Sequence, residues 1–278
     1  MSNYYDIFGS IHTEMAKYYH RWYFDRPMIV TSGRDRELQR ITALTNRFLH
    51  FYAEHYREYL DRIPYPDKVM RFLELQDERG PYHPGSARLD YLMDTDRNIK
   101  VCEFTSRFYG NGYYTSYFAD LRGRQLAADF GVKAADNRME ELLESFVQPT
   151  EEYDRVCLLK GSNRLAAWKL FMPFFEAIGK KTAIIEVPDA EEEARRGALD
   201  GTFLIGTFNQ QDLLGCSEDT IKRFLDNNYH NDLRSVFLTH DKRIISLLCL
   251  MKGCSTISLA VPSAKSFSHS SSEVMHPA

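Results

Sequence analysis

The sequence is poor in the features that announce specialised chemistry. Its five cysteines (Cys102, Cys157, Cys216, Cys249 and Cys254) are odd in number and scattered, with no Cys-x-x-Cys and no histidine at ligand spacing beside them. Neither a disulfide framework nor a structural zinc site is expected, and they read as reduced thiols. His50 and His55 share one predicted helix, but five residues apart they do not stack on one face as a metal pair would. The longest strongly apolar stretch, Ile244 to Met251, is interrupted by Ser246 and falls well short of the ~18–20 residues a bilayer crossing needs. The opening Met1-Ser-Asn-Tyr-Tyr-Asp6 lacks a basic segment followed by an apolar one, so a cytoplasmic location is expected and no membrane partner. Basic residues number 35 against 39 acidic, a net charge of −4, and no local basic cluster offsets it. Electrostatic capture of nucleic acid therefore has little support.

What is present is an ordinary globular composition: 278 residues, 44% apolar and 27% charged, enough for one large domain or two small ones with a packed core. Ile11, Met15, Tyr18 and Trp22 recur at three- and four-residue spacing and predict a helix over 11–24, stopped by Pro27. Ser32 with Asp35 resembles a capping box, and Leu38, Ile41, Leu44, Phe48, Phe51, Tyr52, Tyr56 and Leu60 keep a period near 3.6, predicting a long helix to about Arg62. A short helix is expected over about 67–76.

From Tyr82 the period changes to two. Arg88 and Asp90 alternate with Leu89 and Tyr91, Asp94 to Asn98 supplies turn residues, and Lys100 to Thr105 reads as a returning strand, which together predict a hairpin. Arg88 and Asp90 share one face, and Glu103 joins them if the register allows. Arg107 to Gly112 is a glycine-containing turn whose N–H groups could approach a ligand, followed by a helix over about 114–129. Beyond Pro149, strands at 155–159, 181–187 and 203–207 alternate with a helix at 163–178, which implies a parallel sheet and a boundary near residue 150. The turn Lys160-Gly-Ser-Asn163 has one glycine where a dinucleotide fingerprint needs three. Residues 255–278 hold 8 serines in 24 positions and read as a flexible tail.

Ser86-Ala-Arg-Leu-Asp90-Tyr91, Lys100-Val-Cys-Glu103-Phe-Thr105 and Gly110-Asn-Gly112, taken in order, resemble the circularly permuted ATP-grasp ligases, such as glutathionylspermidine synthetase and the eukaryotic glutathione synthetases. Asn231 to Arg243 is similar to the segment of that family that carries a nucleotide-binding lysine. The resemblance implies an α/β chain: a helical N-terminus and partial ATP-grasp antiparallel sheet over 1–150, a Rossmann-like parallel α/β domain over 151–250, and a tail over 251–278. It implies an ATP-dependent carboxylate–amine ligase working through an acyl phosphate on a small amino acid, peptide or polyamine, with ATP and Mg²⁺ as cofactors. Arg88 would hold the anionic group, Glu103 and Thr105 the metal, and Lys242 the nucleotide. Asp90, Ser106, Gly110 and Gly112 would line the substrate site. Thr105 stands where the family has Asn. The family's second lysine, glycine-rich lid and further metal ligands have no counterpart after Leu250, so the resemblance implies a truncated ligase, inactive alone. The alternative is a non-catalytic small-molecule or peptide binding module derived from that fold.

Overall fold

A computed structural model describes residues 3–11, 31–106, 111–131, 138–162, 171–227 and 229–251. The helix expected over 11–24 (Ile11 apart), most of the glycine turn including Gly110, the first half of the helix expected over 163–178 and nearly all of the tail lie outside those residues.

The chain opens with α1 (Tyr4–Ser10), capped by the Asn3 side chain, which accepts from the Asp6 N–H. The long helix α2 spans Ser32–His55, and its N-cap is Thr31, whose hydroxyl accepts from the Arg34 N–H at 3.3 Å. The expected Ser32 box is thus off by one residue. The helix also stops earlier than its apolar period suggests, passing into a 3-10 turn at Tyr56–Tyr59. Tyr56 there donates its phenol hydrogen to Asp77 at 3.0 Å, anchoring the turn to the end of α3 (Asp67–Asp77).

The hairpin forms as its period predicts. β1 (Arg88–Met93) pairs antiparallel with β2 (Ile99–Thr105) in the register Arg88↔Thr105, Leu89↔Phe104 and Asp90↔Glu103. The register then shifts, so that Tyr91 faces Val101, a bulge that adds local twist. After α4 (Asn111–Asp129) and α5 (Met139–Val147) comes the parallel sheet, β3 (Arg155–Lys160), β4 (Lys181–Glu186) and β5 (Thr202–Gly206), in spatial order β4-β3-β5. The connecting helices are α6 (Phe171–Ala177) and α7 (Val187–Arg195). α8 (Gln210–Gly215), α9 (Glu218–Asp226), a π-helical turn at Ser235–Thr239 and α10 (Arg243–Met251) complete the described fold.

Strand alternation splits the interior into two cores. Val156 and Leu158 of β3 and Phe203 and Ile205 of β5 join a cluster with Phe8, Tyr114, Phe146 and Phe174. Cys157, Leu159 and Leu204 point the other way, into a cluster with Tyr52, Phe72, Phe224 and Phe237. Such two-sided burial is what a parallel sheet covered by helices requires, and each fully buried phenylalanine contributes about 1.5–3 kcal/mol of transfer free energy. Residues from before and after position 150 share both cores. The architecture is therefore mixed α/β with a two-stranded antiparallel hairpin and a three-stranded parallel sheet.

Candidate functional site

The hairpin brings four of the expected site residues onto one face. Residues directly opposed across an antiparallel pair point the same way, so Arg88, Asp90, Glu103 and Thr105 lie together while Leu89 and Phe104 turn to the core. The charges on that face satisfy one another. Arg88 grips Asp90 through two bonds, Nε to Oδ1 at 2.6 Å and Nη2 to Oδ2 at 2.8 Å. Lys242 stands 3.6 Å from Glu103 with its side chain 73% exposed, which makes it a solvated partner of that carboxylate. The Thr105 side chain is buried, and among the described residues no three His, Cys, Asp or Glu side chains gather as a metal site.

The end of β3, where a parallel sheet offers a ligand position, is occupied by the chain's own groups. Gly161 N–H donates to Thr207 Oγ1 at 2.9 Å and Ser162 N–H to Asp212 Oδ2 at 3.2 Å. Asp212 completes a capping box with Asn209 at the start of α8. A hydroxyl and a carboxylate thus hold the N–H groups that a phosphate would need.

A different constellation assembles beside the hairpin. The loop Gly80–Ala87 is stitched to the segment His230–Ser235 by a run of polar contacts: Arg234 Nη2 to Gly80 O (3.0 Å), Tyr82 Oη with Ser235 Oγ (2.9 Å), Ser235 Oγ to Pro84 O (3.1 Å) and Asn231 Nδ2 to Ser86 O (3.3 Å). Arg234 is itself held by Asp232 and Asp77 in a buried ion pair, its Nη2 lying 2.7 Å from Asp232 Oδ2. Gly85 is in the left-handed region at φ 64°, and a methyl group there would collide with the His230 carbonyl oxygen. Glycine alone meets both demands.

This packing sets Ser86 Oγ 2.8 Å from His230 Nε2. The histidine is delivered by a single parallel bridge between Tyr229 and Leu204, its own N–H donating to Leu204 O at 2.8 Å, so it rides on the edge of β5. Its ring lies edge-on to Phe146 and Phe203, at 6.1 and 5.9 Å between centroids. Burial pushes its pKa down to about 4, with the charge of His83 adding to the effect. The ring is neutral at pH 7, and in the tautomer with its proton on Nδ1 the Nε2 accepts from the Ser86 hydroxyl.

Ser86 opens onto a cleft of about 340 Å³ that also takes in Arg88, Gly112, Tyr113, Ser116 and Ser145. Gly112 lies in the first turn of α4, where backbone N–H groups lack acceptors within the helix. The Tyr113 phenol is pushed up to about 12 by burial, an effect the Ser86 hydroxyl opposes by hydrogen bonding. Ser106, at the end of β2, is fully buried rather than presented to the cleft, and neither its hydroxyl nor the Asn231 Oδ1 finds a partner among the described residues.

Sequence reasoning passed over His230 and saw Ser86 only as a neighbour of Arg88. Their meeting spans 144 positions, and the local signal was slight: a Gly-Ser pair before a strand, and a polar His-Asn-Asp run after an amphipathic helix.

The fold and cleft define a mixed α/β domain with a neutral serine–histidine pair beside an open cleft. The family model described as the AnkG N-terminal domain matches residues 40–238, and the chain belongs to that family. No curated protein matches it. The match corrects the ATP-grasp resemblance and, with it, both the ligase function and the derived binding module. The motifs that carried that resemblance are accounted for by structure: Arg-x-Asp is an ion pair within one strand, and the Asn231 to Arg243 segment contains the buried Asp232–Arg234 pair. No helix among the described residues is long and apolar enough to cross a membrane.

Proposed function

We propose that this domain catalyses acyl transfer to water, with Ser86 as nucleophile and His230 as general base. The observation that carries the reading is the 2.8 Å contact between Ser86 Oγ and a histidine held neutral, at the wall of an open cleft. A serine hydroxyl is inert until a neighbouring base takes its proton as it attacks. Ser86 Oγ forms the bond to the substrate carbonyl carbon while its proton passes to His230 Nε2. The tetrahedral oxyanion falls to donors at the start of α4, where Gly112 lines the cleft. The carbonyl–oxygen bond to the leaving alcohol then breaks, with His230 returning the proton to that alcohol, and water repeats the sequence to free the acid and regenerate Ser86.

A base of such low pKa is available across the neutral range but draws the proton weakly, so the turnover is slow and its acid limb falls near pH 4 rather than near 6.5. The test is hydrolysis of p-nitrophenyl acetate together with labelling by a fluorophosphonate probe, the modified peptide being mapped by mass spectrometry. Covalent modification of Ser86 with loss of hydrolysis in Ser86→Ala is the expected result. A protein that neither hydrolyses the ester nor takes the probe at Ser86 would overturn the reading.

A further inference from the structure

A second hydroxyl reaches Ser86 from the side opposite the hairpin face. Tyr113, in the first turn of α4, is buried, yet it lines the same cleft as Ser86. Its ring is wedged between two others, with its centroid 4.6 Å from that of Phe146 and 5.8 Å from that of Phe171, which it meets edge-on. Phe146 is also the ring against which His230 rests. One phenylalanine thus supports both groups that flank the serine, and the Tyr113 hydroxyl is hydrogen-bonded to the Ser86 side chain. A serine hydroxyl carries a single hydrogen. With that hydrogen given to His230 Nε2, the phenol donates and Ser86 Oγ accepts.

We infer that Tyr113 is a catalytic residue of this site: its phenol holds Ser86 Oγ in the resting protein and turns its hydrogen bond to the oxyanion once Oγ has bonded to the acyl carbon. This role rests on the serine–histidine reading and adds a named side-chain donor to it. The oxyanion and Oγ are then attached to one carbon, and Oγ, now an ester-type oxygen, is a poorer acceptor than the charged oxygen beside it. A donor already aimed at Oγ therefore meets the developing charge with little reorganisation. No proton leaves Tyr113, whose pKa burial pushes up to about 12, so it stays a donor across the neutral range. Acylation and deacylation both pass through the oxyanion. Loss of a bond made only there lowers kcat and leaves KM nearly unchanged.

The test follows p-nitrophenyl acetate hydrolysis against pH in the wild type, in Tyr113→Phe and in protein carrying, at position 113, a tyrosine fluorinated at both ring carbons beside the hydroxyl. Phenylalanine keeps the ring against Phe146 and Phe171 and removes only the donor. The fluorinated phenol keeps the donor but ionises at lower pH. Tyr113→Phe is expected to lose about 10²-fold in kcat with KM nearly unchanged and with Ser86 still taking the fluorophosphonate probe. The fluorinated protein is expected to be active at pH 7 and to lose activity on the alkaline side at lower pH than the wild type. Wild-type kcat in Tyr113→Phe, a loss carried by KM alone, or an alkaline limb that fluorination does not move overturns the role of Tyr113. Where Ser86→Ala is inert in the same assay, such a result leaves the serine–histidine reading standing. A wild type that neither hydrolyses the ester nor labels at Ser86 overturns that reading and the role of Tyr113 with it.

Discussion

Two polar regions lie a few residues apart and behave in opposite ways. On the hairpin face, Arg88, Asp90, Glu103 and Lys242 carry full charges, lie near solvent and neutralise one another in pairs. At the corner beneath, Ser86 and His230 are neutral and are held together by a loop bonded to a distant segment. The first region has the stronger pattern in the sequence and the weaker chemical potential, because an exposed ion pair is worth at most about 1 kcal/mol and its partners already satisfy it. The second has almost no local pattern, yet it presents a proton donor and an acceptor in an open cleft. Charge that is conspicuous in a strand is often charge already paired across that strand.

Substitutions sharpen the contrast, beginning with the largest effect. Asp232→Asn leaves the Arg234 guanidinium buried with only Asp77 as counter-charge, and should lower unfolding free energy by about 3 kcal/mol in a urea titration. Gly85→Ala combines left-handed strain with a collision at His230. A cost above roughly 2 kcal/mol is expected, with loss of whatever reactivity Ser86 has, because the same contact that is strained positions the base.

The pH dependence gives the next test. His230 has a folded pKa of about 4, below its ordinary value of 6.5, so the unfolded chain binds its proton more readily than the folded one. Its contribution is fully present above pH 6.5 and is lost as pH falls toward 4, by about 3 kcal/mol at most. Subtracting the pH–stability curve of His230→Gln from that of the wild type should expose this slope between those limits, and a flat difference would show that the ring is not held neutral. The smallest effects belong to the hairpin. Lys242→Ala and Glu103→Gln should each shift stability by less than about 0.5 kcal/mol in the same titration, and a large shift at either position would restore to that face an importance its pairing denies.

Periodicity carried most of the fold into view. The apolar stripe of α2, the alternation of the hairpin and the short buried strands β3 to β5 are local signals, and each produced its element. Of the helices that escaped notice, α1 is seven residues long and α7 begins at Val187-Pro188 directly off β4, whereas α5 and α9 are amphipathic and were legible. The stop of α2 at His55 was illegible because it is set by a bond from Tyr56 to Asp77, a tertiary contact that overrides a continuing period. The candidate site fared worse for the same reason. Arg88 and Asp90 are two residues apart and were readable, whereas Ser86 meets His230 only after β3, β4 and β5 have formed and the chain has returned along the edge of β5. The ATP-grasp resemblance drew on short strands whose residue types suit any polar hairpin, and it did not survive a family match across residues 40–238.

The most direct test of the serine–histidine pair is the rate of fluorophosphonate modification at Ser86 in the wild type and in His230→Ala, measured from pH 4 to 8. The account predicts a wild-type rate that is level above pH 5 and falls only near 4, with His230→Ala slower by about 10²-fold or more. Equal rates in the two proteins, or modification at a serine other than Ser86, would contradict it.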